Sequence, residues 1–284
     1  MPQHRLKGLL KLYLKQYGYT NIISTKEYIV AEGSIPICLV AHLDTVNENP
    51  PEEIFYDQEQ RVMWSPNLLG ADDRAGVYAI IRILSDGYRP HIIFTTDEEK
   101  CCAGAGTLVT QEPNCPLEKI KAIFQLDRRG SDDCVFYDCD NPDFVKYIES
   151  FGFVEAYGTF SDISVIAPEW EVAAVNLSVG YYNEHTNHEY LRLDELETTI
   201  ERVEQMLAAA DDMPTFSYIP AKSAWNMDSY YFHSPESCIF CGRLIKSSWG
   251  YKVSGFDKDG SYRFLMCKEC YEAYYKSPSL DDTN

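Results

Sequence analysis

The stretch Leu69-Gly70-Ala71-Asp72-Asp73-Arg74-Ala75-Gly76 stands at the junction between a loop and a helical pattern. Asp72 lies among small residues there, so both of its carboxylate oxygens are free to face a cleft and to bridge two cations near a helix N-terminus. Two consecutive aspartates are also an ordinary N-cap and first helical turn. The segment by itself therefore leaves capping and metal binding open, and the surrounding sequence must decide between them.

Apolar strand patterns alternate with helical patterns on both sides of this stretch. Helices are predicted over residues 1–17, 72–84, 143–150 and 193–207, with a short one opening at 103–106, and strands over 27–31, 36–41, 54–56, 62–64, 91–95, 120–126, 135–137, 153–156 and 172–179. This alternation predicts an α/β fold with three layers, helix–sheet–helix, around a mostly parallel mixed sheet. Ligands of such sheets bind beyond the carboxyl ends of the strands.

Polar residues follow four of the predicted strands and could supply nitrogen and oxygen ligands. They are His42, Glu98 with Glu99, Asp127 and His185. Each alone has an ordinary explanation, such as a hydrogen-bonded loop histidine, a solvated acidic turn or a cap. Gathered with Asp72 at one sheet edge, two imidazoles and three carboxylates suit two zinc ions that share a bridging carboxylate. The cations would also supply the positive charge that such a cluster otherwise lacks.

Composition restricts the classes of partner. The chain has 284 residues, of which 45% are hydrophobic, and a formal net charge of −19. Eight Lys and Arg and eight Asp and Glu stand from Lys222 onward, so the whole acidic excess lies in residues 1–221, which argues against binding to a nucleic-acid backbone. The first 17 residues form an amphipathic helix rather than a signal peptide, and no apolar run could span a bilayer. We therefore expect a cytoplasmic protein without membrane contact.

Five segments resemble, in their order along the chain, the co-catalytic di-zinc exopeptidases. They are His42-Leu43-Asp44-Thr45, Gly70-Ala71-Asp72-Asp73, Thr96-Asp97-Glu98-Glu99, Asp127 and His185. The clan includes peptidase T, the bacterial leucyl aminopeptidases and glutamate carboxypeptidase. The resemblance covers about residues 36–210. It implies the zinc exopeptidase fold and two catalytic Zn²⁺ ions, with Co²⁺ or Mn²⁺ as alternatives.

The resemblance also implies a role for each residue of the cluster. The implied roles are a metal bridge for Asp72, ligation of one metal by His42 and Asp127 and of the other by Glu99 and His185, a general base for Glu98, and orientation of the His42 imidazole for Asp44. His188 competes with His185 for the last ligand position. The clan's spacing between this histidine and a following glutamate is met by His185 and Glu189, which favours His185.

The activity that the resemblance implies is hydrolysis of peptide bonds near a chain terminus, by an aminopeptidase or a dipeptidase. The same groups could hydrolyse an N-acyl amino acid, so an amidohydrolase is an alternative. A non-catalytic metal-binding adaptor is an alternative from another class. Many clan members insert a lid or dimerisation domain after the position of Asp127, and too few residues precede Ser161-Asp162 for one here. Another subunit or the C-terminal tail could cover the cleft, which leaves a homo-oligomer open.

The C-terminal tail contains two pairs of cysteines with metal-ligand spacing. The pairs are Cys238 with Cys241 and Cys267 with Cys270, and 25 residues separate them. Four thiolates at this spacing predict one structural Zn²⁺ in a zinc ribbon, with a β-hairpin between the pairs. Zinc ribbons often bind nucleic acid, but the neutral tail and the acidic body disfavour that here. The predicted organisation is a catalytic domain at residues 1–212, a linker at 213–230 and a four-cysteine zinc-ribbon module at 231–276.

Overall fold

The computed structural model describes residues 1–46, 49–221, 250–257 and 260–268, with only the backbone described for the strands that follow residue 249. The chain divides into two compact units, Met1–Ala221 and Lys222–Asn284. Among the described residues, no helix combines the length and the apolar character needed to cross a membrane.

The first unit alternates strands and helices, much as the sequence pattern predicts. Its elements in chain order are α1 Gln3–Gln16, β1 Ile22–Ser24, β2 Tyr28–Ala31, β3 Ile35–His42, β4 Phe55–Asp57, β5 Val62–Trp64, α2 Ala71–Ser85, β6 Pro90–Thr95, α3 Ala103–Gln111, β7 Ala122–Arg128, β8 Asp133–Val135, α4 Pro142–Glu149, β9 Val154–Glu155, α5 Asp162–Trp170, β10 Ala174–Ser178, β11 Tyr181–Tyr182, β12 Tyr190–Arg192 and α6 Leu193–Ala208.

The main sheet has eight strands in the order β1-β2-β6-β3-β7-β10-β8-β9. Its four central strands, β6, β3, β7 and β10, run parallel, whereas β1 and β2 at one edge and β8 beside β10 introduce antiparallel pairs. The predicted mostly parallel mixed sheet is therefore confirmed. Because β3, β6 and β7 are parallel neighbours, their carboxyl ends meet at one edge of the sheet.

Both faces of the sheet are covered by helices, as the predicted three layers require. Side chains alternate between the two faces along a strand. On β3, Ile37, Leu39 and Ala41 belong to the core that contains buried residues of α1, α2, α4 and α6. Cys38 and Val40 belong to the second core, which contains buried residues of α3 and α5. Every side chain from Ile37 to Ala41 is fully buried, which explains why this strand is apolar throughout.

Two features of the first unit are not visible in the hydrophobic pattern. Helix α5 was not predicted, because it is only nine residues long and contains Pro168, a residue that normally interrupts a helix. A second sheet of four short antiparallel strands, in the order β11-β12-β5-β4, joins segments more than 100 positions apart. Strands of two or three residues are too short to show an alternation.

The segment predicted to begin a linker, residues 213–221, packs against the first unit. Met213 and Phe216 are buried, and the Phe216 backbone bonds with Lys121 and Ala173. The Tyr218 amide donates to the carbonyl of Glu171. These contacts extend the first compact unit to Ala221.

In the second unit, β13 Gly250–Asp257 and β14 Gly260–Cys267 form an antiparallel hairpin that pairs Gly250 with Cys267. Cys238, Cys241 and Cys270 lie outside the described residues, as does the side chain of Cys267. The structural zinc site and the domain boundaries stay predictions.

Replacing Gly76 with Ala is expected to lower the free energy of unfolding by more than about 1–3 kcal/mol, the usual cost of overpacking a core. A Cβ at Gly76 would lie 1.9 Å from the carbonyl oxygen of Leu126 and 2.5 Å from Oδ1 of Asp73, so α2 would have to move away from β7. Gly106 is the matched control, because a Cβ there meets nothing within 4 Å. Gly106→Ala should raise stability by up to about 1 kcal/mol. Urea unfolding of both variants tests the contact, and wild-type stability of Gly76→Ala would contradict it.

Candidate metal centre

The two aspartates of the α2 junction have different tasks. Gly70 precedes the helix in the left-handed region, at φ 70°, and Asp72 and Asp73 have non-helical backbone angles. The Asp72–Asp73 peptide bond is cis. Asp73 is fully buried, and its carboxylate accepts hydrogen bonds from the amides of Gly76, at 2.9 Å, and His42, at 3.2 Å. Asp73 therefore caps the regular part of the helix, while the Asp72 carboxylate faces the ends of the strands.

One group of ligand atoms forms around the end of β3. Nε2 of His42 lies 3.0 Å from Oδ1 of Asp72 and 3.5 Å from Oδ1 of Asp127. All three side chains are buried, and one potential ligand atom from each lies within 4.8 Å of the others. Three donors at these separations could hold one metal ion.

A second group forms around the other oxygen of Asp72. Nε2 of His185 lies 3.1 Å from Oδ2 of Asp72 and 2.9 Å from Oε1 of Glu99. The structure thus brings together all five ligands predicted from the sequence, and each carboxylate oxygen of Asp72 faces a different histidine. This division into two groups is the one that the resemblance implies.

Asp44 connects the ends of β3 and β6. One of its oxygens lies 3.3 Å from Nδ1 of His42, and its carboxylate accepts hydrogen bonds from the backbone amides of Glu98, at 3.0 Å, and Glu99, at 3.1 Å. A carboxylate on Nδ1 fixes the orientation of the imidazole and directs Nε2 toward the ligands. The same carboxylate holds the turn that carries Glu98 and Glu99.

Glu98 borders the centre without belonging to either of the two groups that share Asp72. Its Oε2 lies 4.0 Å from Nε2 of His42, farther than the oxygens of Asp72 and Asp127. A third possible cluster of ligand atoms combines His42, Glu98 and Glu99. The Cys102 thiol lies 3.7 Å from Oε1 of Glu98, but the potential ligand clusters in the described part of the chain contain only His, Asp and Glu.

Three side chains hold Asp127, and the sequence analysis did not identify them. Gln125 and Ser161 donate to Oδ2 of Asp127 at 2.9 and 3.0 Å, and the Tyr181 hydroxyl donates to Oδ1 at 3.2 Å. Two donors on Oδ2 leave Oδ1 as the oxygen that faces His42. Gln125 carried a usable signal, because residues two apart on a strand share a face.

Glu189 fixes the backbone that leads to Asp72. The side chain is buried, and its carboxylate accepts hydrogen bonds from the amides of Gly70, Ala71 and Asp72 at 2.6, 2.8 and 3.1 Å. The sequence analysis used Glu189 only for its spacing from His185. The structure places it as the residue that positions the α2 junction.

The electrostatics of the cluster show a shortage of positive charge. Burial disfavours protonation of His42, but Asp127, Asp44 and Asp72 outweigh this effect and hold the His42 pKa well above its usual value. Burial likewise opposes protonation of His185, while hydrogen bonds and charge from Asp72 and Glu99 raise its pKa to about 11.

Buried acids near the centre show the same shortage. Burial, with Asp127, Asp162 and Asp72 nearby, raises the pKa of Glu98 to about 9. Asp162 is fully buried, its Oδ1 has no hydrogen-bond partner, and burial raises its pKa to about 7. Divalent cations would supply the missing charge. The mixture of imidazole nitrogens and carboxylate oxygens fits zinc.

Replacing His185 with Ala is expected to weaken zinc binding by at least about tenfold, more than an outer-shell partner would cost at the low end. His185 contacts both Asp72 and Glu99. His188 is the matched control, because it is exposed and its backbone bonds only within its own loop. Competition with a zinc-binding dye measures both variants. Equal loss in His188→Ala would contradict the choice of ligand.

Comparisons with known proteins agree with this geometry. The sequence profile of peptidase family M28 matches residues 25–149, less than half of the chain. No curated protein sequence shows significant similarity. Aminopeptidase PepT from Bacillus cereus superposes with a TM-score of 0.57 at 14% identity, over 74% of this chain and 94% of that chain.

Two further solved structures share the fold. A tripeptidase from Staphylococcus aureus gives a TM-score of 0.58 at 12% identity, over 75% of this chain and 94% of that one. The TET1 peptidase of Pyrococcus horikoshii gives 0.51 at 14% identity, over 72% and 94%. The profile match and the shared fold together confirm that this chain resembles the co-catalytic zinc exopeptidases.

Proposed function

We propose that the chain is a zinc-dependent metallopeptidase that hydrolyses peptide bonds near a chain terminus, as an aminopeptidase or a dipeptidase. The observation that carries the proposal is the position of Asp72, whose two oxygens face two separate histidines at 3.0 and 3.1 Å. A shared carboxylate between two groups of ligands is what a dinuclear site requires. Capping alone does not explain it, because Asp73 performs that task.

The metal ligands proposed for one ion are His42, Asp72 and Asp127, and those for the other are Asp72, Glu99 and His185. When bound, a pair of zinc ions lowers the pKa of water and polarises the scissile carbonyl. Asp44 keeps the His42 imidazole oriented, and Glu189 keeps Asp72 in place through the backbone of the α2 junction.

Glu98 is proposed as the general base. It would take a proton from the attacking water and deliver it to the leaving amine. Its support is its position, because the carboxylate is buried beside His42 yet outside both groups that share Asp72. The hydrogen bond from its amide to Asp44 ties it to the same frame as the ligands.

Self-association, a cytoplasmic location and a structural zinc on the four tail cysteines are proposed with this function. The TET1 peptidase, which shares the fold, assembles into a tetrahedron or an octahedral shell. In this chain, strand β4 at the edge of the second sheet carries exposed Phe55 and Tyr56, as a strand that pairs with another copy would. Light scattering tests the oligomer.

The test of the proposed function is hydrolysis of aminoacyl p-nitroanilides and short peptides by protein loaded with zinc. Release of the N-terminal residue supports the proposal. If these substrates remain intact and zinc is bound, the adaptor alternative gains. If only N-acyl amino acids are cleaved, the amidohydrolase alternative replaces the peptidase.

A further inference from the structure

A cleft of about 1050 Å³ adjoins the metal centre and shares Asp44 and Glu99 with it as lining residues. Its walls are mainly apolar. The aliphatic lining includes Met63, Leu68, Leu69, Leu191, Leu193 and Leu196. Such a cleft beside a hydrolytic centre can bury the side chain of a substrate.

Arg74 is the unusual residue in this cleft. Five other described arginines, Arg61, Arg82, Arg128, Arg129 and Arg192, each pair with a carboxylate within 4 Å. Arg74 forms no such pair within the described part of the chain, although the protein contains 44 Asp and Glu. Asp44 and Asp73 attract it only at longer range. A guanidinium held in an apolar wall without a carboxylate has unused capacity for an anion.

The hydrogen bonds of Arg74 define what it could bind. Nη2 donates to the carbonyl oxygen of Met1 at 3.0 Å, whereas Nε is buried without a partner. Nε and Nη2 form one edge of the planar guanidinium, and a carboxylate can accept from both at once. A single carbonyl oxygen satisfies only one of them. A carboxylate that took the place of the Met1 carbonyl would therefore be the better match.

We propose that Arg74 binds the C-terminal carboxylate of short apolar substrates, with the adjoining side chain in the cleft. This inference rests on the proposed peptidase function and deepens it. A fixed anchor limits the length of chain between the carboxylate and the scissile bond, because each extended residue spans only about 3.3–3.6 Å. The preferred substrates are then dipeptides and tripeptides with a free C-terminus rather than long peptides.

The test compares Leu-Leu with Leu-Leu amide, which differ only in the carboxylate. For the zinc-loaded protein, kcat/KM should be about 10- to 100-fold higher for the free acid, the usual range for a charge-assisted hydrogen-bonded pair. Arg74→Met keeps the aliphatic stem and should reduce this ratio to below about threefold by slowing the acid alone. Arg74→Lys keeps the charge without the fork and should retain part of the preference. Arg82→Met, on the exposed face of the same helix, should leave the ratio unchanged.

Binding provides a readout that does not depend on turnover. In the Glu98→Gln variant, calorimetry should show tighter binding of Leu-Leu than of its amide, and adding Arg74→Met should remove the difference. Equal kcat/KM for acid and amide in the wild type, or an equal loss for both in Arg74→Met and Arg74→Lys, would overturn the inference. If no peptide is hydrolysed while the binding preference persists, the proposed activity fails and the carboxylate site stands.

Discussion

Replacing Glu98 with Gln is expected to lower kcat by a factor of about 10²–10⁴, the usual contribution of a general base. The amide cannot accept the proton of the attacking water, but it has nearly the same size as the carboxylate. The Glu98 amide would still donate to Asp44, so the turn that carries Glu99 should keep its position. Zinc content should therefore remain that of the wild type.

The control for this substitution is Glu59→Gln, an exposed glutamate in the turn between β4 and β5. It should leave both kcat and zinc content unchanged. Zinc loss in Glu98→Gln would mean that Glu98 is a ligand, as the cluster of His42, Glu98 and Glu99 would allow. Full activity in that variant would exclude Glu98 as the base.

Replacing Asp72 with Asn should reduce the metal content from two ions to at most one and abolish hydrolysis. Asn offers one carbonyl oxygen, so it cannot present an anionic oxygen to both His42 and His185 as Asp72 does. The loss of affinity should exceed the about 10- to 100-fold that follows from changing an outer-shell residue. Zinc titration followed by a peptide assay measures both effects.

The matched control is Asp143→Asn, because this aspartate is 84% exposed on α4 and its ion pair with Lys146 is long, at 3.9 Å. Wild-type metal content is expected there. Two tightly bound ions in Asp72→Asn would show that the carboxylate does not bridge, and the assignment of the centre would then have to be revised.

The residues of the centre were predictable because they stand at the ends of buried strands. A strand such as β3 is apolar on both faces and stops at a polar residue, so His42 is conspicuous in the sequence. Parallel topology then places Glu99 and Asp127 at the same edge, which periodicity and chain order predict. The sequence left capping and metal binding open for the two aspartates, and the structure assigns them to different residues.

The residues that support the centre were not predictable from such patterns. Glu189 reaches the α2 junction from 117 to 119 positions away, and Tyr181 reaches Asp127 from 54 positions away. These contacts depend on how β11 and β12 pair with β5, and strands of two or three residues leave no periodic signal. Ser161 escaped for a related reason, since it precedes the unpredicted helix α5.

The most direct test of the account is the zinc content per chain, measured by plasma mass spectrometry on protein purified with trace zinc. The account predicts about three ions in the wild type and about two when Cys238 and Cys241 are both changed to Ser, because the centre around Asp72 holds two. About one ion in the wild type, lost entirely in the cysteine variant, would mean that the centre binds no metal and would contradict the peptidase proposal.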